Sequence, residues 1–575
     1  MASDSTASPT LSFTPQQVLA TPDKAKPPRE RAIRACQTCR AKRIRCDNKR
    51  PTCSACQKKG SECVQVPADS SLALDPGSLK ILQRIDLLEH TLKSFMHPGA
   101  ASSTPLASSS EVVQARELCP TTADLLSWSV FRGQYDGRRD LKSLLRGTPP
   151  SQASISAASV DMSFLSDETE SISCRRLLDR FFNFVHVKNP MLDEARVRQM
   201  VHRLSLEGPK WDSESCLALL VCAIGSLSSS FDALGSKQLD AQSTSTAQSY
   251  FAAAQRRISV ISGNSGVLEA QCHFYSGVYL MTMLQPLHAW RSFVQALACC
   301  QEFTCANTAY NDHEMLTTAP RMGLPAEESV YWSCWKSERE LRIHLDLPDF
   351  AFNNLSYPHL FPTPPPSMVE DQAVSWYFYL SEISLLRLEH RAREEINYVL
   401  RADGPSLVTD LANSTVTLEG FAEEWVKSLP LAMNLFTPQE EDDVLKFILR
   451  GHFLDLWEVI YWPWLDMLLN RQLAGSKVAT YVMKGLQIGV DRIRINNPGF
   501  YHRHHGTWLM IQSCTRSALV LLAARHSAEG IRLVPDGWRE AVCNVMELLR
   551  FWQHDAPDAT DRIQILEELS ISLTQ

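Results

Sequence analysis

The stretch CQTCRAKRIRCDNKRPTCSACQKKGSEC, residues 36–63, places Cys36, Cys39, Cys46, Cys53, Cys56 and Cys63 in the pattern C-x2-C-x6-C-x6-C-x2-C-x6-C, one C-x2-C-x6-C unit written twice. The N-terminus MASDSTASPTLSFTPQQ is polar where a secretory signal would be basic and then apolar. A reducing compartment is the corresponding expectation, so clustered thiols read as metal ligands before disulfides. Zinc takes four thiolates in a tetrahedron. Six thiolates fill two such sites only if two sulfurs are shared, and the repeat singles out the first cysteine of each unit, Cys36 and Cys53. One ion would take Cys36, Cys39, Cys46 and Cys53, the other Cys53, Cys56, Cys63 and Cys36. Disulfide and iron–sulfur readings are weaker, because iron–sulfur clusters normally use four thiolates each. The remaining eleven of the 17 cysteines are scattered through apolar stretches and read as small core hydrophobes.

The two halves of the repeat differ in charge. Between Cys39 and Cys46 the residues are RAKRIR, with Arg40, Lys42, Arg43 and Arg45 basic; between Cys56 and Cys63 they are QKKGSE, with Lys58, Lys59 and a helix-weakening Gly60. Residues 24–64 hold 13 Lys or Arg against Glu30, Asp47 and Glu62, a net of +10 in a chain whose total is −7. Six thiolates and two zinc ions leave about +8, an electrostatic footprint for phosphate. A solvated basic face on a structural zinc module is the plainer alternative. Lys24, Lys26, Arg29, Arg31 and Arg34 could extend the phosphate contact or serve as a nuclear import signal.

These residues closely resemble the fungal binuclear zinc cluster, or Zn(2)-C6, DNA-binding domain. Pro51 stands where that family's inter-helix loop carries its proline, and the shared-sulfur arrangement is the one the family uses. The resemblance implies two zinc ions per chain, double-stranded DNA as partner and a nuclear location. It implies recognition of CGG-type triplets through the third and fourth residues after the second cysteine, Lys42 and Arg43, with Arg40, Arg45, Lys58 and Lys59 on phosphates. The family usually has Lys where this chain has Arg43, and the two are not interchangeable in base recognition.

Outward from the cluster, VQVPADSSLALDPG reads as a linker, and Ser78 as the cap of a helix whose seam is Ile81, Ile85, Leu88, Leu92 and Phe95. This seam supports a short coiled coil and a homodimer, or else lies on the body of the protein; family position favours the dimer. The chain then divides into a basic-ended tail (1–30), zinc module (31–66), linker (67–77), coiled coil (78–97), largely flexible linker with short helical segments (98–171) and an all-α regulatory body (172–575). Within the linker, TTADLLSWSVFRGQYDG reads as a short helix or two able to dock on the body. The fold class is mainly all-α: glycine is scarce at 23 residues, alternating strands are missing, and helical apolar faces recur. One face joins Trp376, Tyr379, Leu380, Ile383 and Leu386; another joins Leu445, Ile448, Leu449, Leu456, Val459 and Ile460. VIYWPWLDMLL reads as core.

The body resembles the fungal transcription factor regulatory, or middle homology, domain in FFNFVHVKNPMLD, LQPLHAWRSFVQALACCQ, YWSCWKSERELRIHLDLPDF (331–350) and HHGTWLMIQSCTRSALVLLAARH. That likeness implies a helical regulatory module, partners in the transcription machinery and a role for a small-molecule effector. No membrane partner is expected, since Ser215–Leu227, the longest apolar run, is short of a span. No enzyme is expected, since G-x-G-x-x-G, phosphate-loop, H-E-x-x-H and G-x-S-x-G motifs are all missing. His502, His504 and His505 in YHRHHGTW read as a polar helix start. Glu338, Arg339, Glu340 and Arg342 read as ion pairs on a helix surface. Residues 161–170 and 555–573 mix acids with apolar residues as activation segments do, and read equally as a linker and a terminal helix. The alternative to a DNA-binding regulator is a ligand-sensing or scaffolding helical protein whose zinc module mediates interactions.

Overall fold

The computed structural model describes Cys39, Lys42, residues 52–60, Cys63, 122–131, 133, 135, 168–231, 241–303, 305, 324–347, 361–364, 370–401, 404–556 and 558–572. The chain divides into two units, Met1–Ala73 and Leu74–Gln575. The expected linker and seam residues Ile81, Ile85, Leu88, Leu92 and Phe95 lie outside the described residues.

In the first unit the described helix is α1 (Ser54–Lys58). Cys53 caps it, its Sγ accepting from Cys56 N–H at 3.4 Å. Gly60 ends the turn with φ +58°, in the left-handed region, and a Cβ there would meet nothing within 4 Å. Glycine is required by the backbone and not by space, so the residue read as weakening a helix in fact terminates one.

The second unit is mainly helical, with no strand among its described residues. Its elements are α2 (Thr122–Leu126), α3 (Glu168–Phe184), α4 (Glu194–Glu207), α5 (Ser213–Leu227), α6 (Ala241–Ile261), α7 (Val267–Thr282), α8 (Pro286–Cys299), α9 (Leu324–His344), α10 (Glu370–Arg401), α11 (Leu407–Ser428), α12 (Val444–Leu465), α13 (Ser476–Asn496), α14 (Thr507–His526), α15 (Trp538–Trp552) and α16 (Ala559–Ser572). Aspartates start several of them. Asp193, Asp212 and Asp443 accept from the backbone N–H groups of Arg196 (3.1 Å), Ser215 (2.8 Å) and Lys446 (2.9 Å), satisfying donors that a helix leaves unpaired at its first turn. The most closely packed pairs are α5 with α6, α7 with α8, and α12 with α13; α9 packs on α8 and α10 on α12.

Both apolar faces pack. Trp376, Tyr379, Leu380 and Ile383 of α10 close on Trp332 of α9, while Leu445, Leu449, Leu456, Val459 and Ile460 of α12 enter the main core. VIYWPWLDMLL is buried from Val459 to Leu469 apart from a partly accessible Asp466. Pro463 withholds an N–H inside α12, and the backbone widens just beyond into a π turn, Asp466–Asn470.

Five sequence readings are revised or narrowed. Ser215–Leu227 in α5 is too short for a span, as expected, but α14, 20 residues, comes closer; 94% of its most apolar 18-residue window is buried within the body, and Gln512, Thr515 and Arg516 interrupt its apolar sequence. The boundary at 171/172 falls inside α3, whose polar first turn has the composition of a linker. Of the two readings of 555–573 the terminal helix holds, as α16, whose Ile563, Ile565, Leu566 and Leu569 are core residues and so present no activation surface. His502 and His504 precede α14 but are buried, 3% and 8% exposed. Glu338 is also buried: it pairs with Arg342 at 3.3 Å and accepts from Trp290 Nε1 at 3.1 Å, because α9 is covered by α8 as well as α10.

The aromatic segment ahead of α3 joins the same core. Leu125, Leu126, Trp128, Phe131 and Tyr135 are each at most 3% exposed. Trp128 meets Trp462 at 5.5 Å between ring centroids, α2 lies on α14, and Ser129 Oγ donates to the carbonyl of Asn470 at 2.5 Å.

Candidate metal centre and the polar cavity of the body

Cys39, Cys53 and Cys56 bring their sulfurs together, with Cys39 Sγ 3.6 Å from Cys53 Sγ and 3.8 Å from Cys56 Sγ. All three are buried. Zinc–sulfur bonds of about 2.3 Å set the edge of a tetrahedron at about 3.8 Å, so this donor set fits zinc in both chemistry and spacing. The distances do not apportion sulfurs between ions: the shared-sulfur scheme places Cys39 and Cys56 on different ions, yet they stand about as close as Cys39 and Cys53. Cys53 N–H donates to Cys63 Sγ at 3.3 Å, and Cys56 N–H to Cys53 Sγ. Such bonds draw charge from a thiolate and fix its direction. Sequence reading missed them, although any C-x2-C opening a helix offers the second cysteine's N–H to the first cysteine's sulfur. Cys36 and Cys46 lie outside the described residues.

Of the expected DNA contacts, Lys42, Lys58 and Lys59 are exposed. Arg40, Arg43 and Arg45 lie outside the described residues.

A second concentration of charged chemistry lies inside the body. Glu458 of α12 accepts from Arg516 Nε (2.7 Å) and Nη2 (2.8 Å) and from Arg492 Nη2 (2.9 Å), and Arg492 also meets Asp455 at 2.8 Å. Burial opposes ionisation of Glu458, but the two guanidiniums hold its carboxyl at about 2. Beside this network is a cavity of about 100 Å³ as measured to the centres of water-sized spheres, walled by α9, α10, α12, α13, the start of α14 and the turn His186–Lys188. Lys336 and Glu382 form a close ion pair there, and His452 Nδ1 lies 3.3 Å from Glu382. Burial works against a charge on His452, yet Glu382, Glu340 and Asp455 raise it to about 9. Glu340 is pushed up to about 7 by burial. None of this cavity was read from the sequence as a site; the one local signal is a lysine, Lys188, inside the apolar stretch FFNFVHVKNPML.

With the geometry in place, comparison with known proteins defines the class. Residues 34–71 match the fungal Zn(2)-Cys(6) binuclear cluster domain, and residues 178–345 match the fungal specific transcription factor domain. The chain carries both domains, and the first is a module that binds two zinc ions. Among individual proteins, the chain is similar to the putative transcription factor ecdB of Aspergillus rugulosus, 27% identical over 274 residues, covering 45% of each chain. It is also similar to Transcription factor FBD3 of Gibberella moniliformis, 35% identical over 68 residues, 11% of this chain and 9% of that protein. The matched segments span less than half the length of these relatives.

Proposed function

We propose that the chain is a nuclear, zinc-dependent, sequence-specific regulator of RNA polymerase II transcription. The observation that carries this reading is the six-cysteine register with its basic first half, matched by the binuclear cluster domain at residues 34–71. Two zinc ions hold a short basic helix rigid enough to enter the major groove. Lys42 and Arg43 read a CGG-type triplet, since a basic side chain satisfies guanine O6 and N7 together. Arg40, Arg45, Lys58 and Lys59 neutralise phosphates, which supplies affinity without sequence information. The seam Ile81, Ile85, Leu88, Leu92 and Phe95 pairs two copies, so the site is two triplets at a spacing set by residues 67–77. The helical body is the regulatory part, contacting co-regulators and responding to a small-molecule effector. The regulated genes belong to a metabolic or secondary-metabolite set, as the family resemblance implies.

Selection of bound duplexes from a random pool by the full-length, zinc-loaded chain tests the reading. Enrichment of paired CGG-type triplets, lost on chelation and restored by zinc, is expected. Recovery of unenriched sequence would overturn it in favour of an interaction module.

A further inference from the structure

We propose that the polar cavity of the body is a binding site for a small hydroxycarboxylate, held by the buried ammonium of Lys188 against the amide of Asn189. This deepens the effector part of the functional reading and does not depend on the DNA-binding part.

The charges around the cavity and its adjoining network do not cancel. The carboxylates are Glu340, Glu382, Asp455 and Glu458; Lys336, His452, Arg492 and Arg516 each have one of them within 4.0 Å. Lys188 is the additional cation. It is 3% exposed, lines the cavity, and has no hydrogen-bond or ion-pair partner among the described residues. A buried cation without a counter-charge is costly unless a ligand supplies one. Burial lowers Lys188 to about 7, with Glu382 opposing the shift at longer range. The groups electrostatically linked to it are Glu382 of α10 and, ahead of α14, His502, His504 and His505, while Lys336 and Glu340 of α9, His452 and Asp455 of α12 and Arg492 of α13 share the cavity wall. The histidines are kept neutral chiefly by burial and then by Lys188 itself.

Four further wall atoms lack a hydrogen-bond partner, Arg492 Nε, His452 Nδ1, His504 Nε2 and Asn189 Oδ1, and the last two differ in kind. Gly506 N–H donates to His504 Nδ1 at 3.0 Å, which leaves the proton of the neutral ring on Nε2, and that buried Nε2–H has no acceptor. Gly506 is what lets this ring sit there: a Cβ would lie 2.7 Å from His504 Cε1. The carboxamide of Asn189 leaves its buried Oδ1 without a donor. The unmet needs are therefore a negative charge for Lys188, an acceptor for His504 and a hydroxyl donor for Asn189. A carboxylate answers the first two and an adjacent hydroxyl the third. The cavity, about 100 Å³, has room for a ligand of this size.

L-lactate is the probe, with propionate, which lacks the hydroxyl, and propylammonium for comparison. Isothermal titration uses the full-length, zinc-loaded, DNA-free chain. One lactate per chain is expected, bound more tightly than propionate. Affinity should be about tenfold weaker at pH 8 than at pH 6, because a lysine titrating near 7 is mostly neutral at the higher pH; ionisation of Glu340 over the same range acts in the same direction. Lys188→Met should weaken lactate at least tenfold. Asn189→Ala should weaken lactate to the level of propionate and leave propionate unchanged, which tests the site independently if Lys188→Met does not fold. Absence of lactate binding across the millimolar range, equal affinity in wild type and folded Lys188→Met, equal effects of Asn189→Ala on both acids, or tighter binding of propylammonium would each overturn the proposal. Because no DNA is present, none of these results bears on sequence recognition.

Discussion

Glu458→Gln removes one charge from the most enclosed ion network of the body while keeping the side chain's size. Glutamate accepts three guanidinium hydrogen bonds there; glutamine would turn an N–H₂ toward donors that are also N–H groups. The carboxyl is held at about 2 against an ordinary 4.5, and at about 1.4 kcal/mol per unit this corresponds to about 3 kcal/mol at neutral pH. Removing one member of a buried pair independently gives ~3–5 kcal/mol, because Arg492 and Arg516 are left with less compensation. An unfolding entropy of about 2.1 cal/mol/K per residue, over the roughly 400 residues of the body, turns 3 kcal/mol into a melting point about 4 °C lower. Differential scanning calorimetry of the full chain at neutral pH reads this directly. A depressed carboxyl stabilises above its unfolded value and loses that contribution as pH falls through its folded value. The gap between wild type and variant should therefore close between about pH 4.5 and 2. A loss no greater than that of Glu440→Gln, an exposed acid, would refute the reasoning.

Four further outcomes are expected. Lys42→Ala should cost ~1–3 kcal/mol on a CGG-type duplex and little on random DNA, measured by fluorescence anisotropy; Lys59→Ala should weaken both alike and reduce the salt slope by about 1. Gly60→Ala should destabilise the zinc module by ~1–2 kcal/mol through its left-handed backbone, seen as faster loss of zinc to a chelator. Trp128→Ala should cost ~3–5 kcal/mol of the docked segment's packing and open residues 122–135 to limited proteolysis while the helices from α3 onward stay resistant.

The metal centre and the helical class were legible because both are written locally. Cysteine spacing states the donor set, and the faces of α10 and α12 repeat at helical intervals. The internal charge network was not legible. Glu458 meets Arg492 and Arg516 across 34 and 58 residues, and periodicity within one helix says nothing of which polar groups will face each other in a thick bundle. For the same reason His504 looked like a solvated helix start: its polarity is local, while its burial is imposed by the turn at Lys188 and by α9, α10 and α12 around it. The acidic residues of 555–573 left a core helix and an activation segment equally readable, because Ile563, Leu566 and Leu569 are spaced on one face among them.

A pair of zinc ions held by six thiolates at residues 36–63 fixes the zinc content expected of the purified full-length chain. Two equivalents per chain are predicted, and the shared-sulfur scheme predicts that Cys53→Ser disrupts both sites. A chain that folds and binds its duplex with less than stoichiometric zinc, or that keeps two equivalents without Cys53, would contradict it.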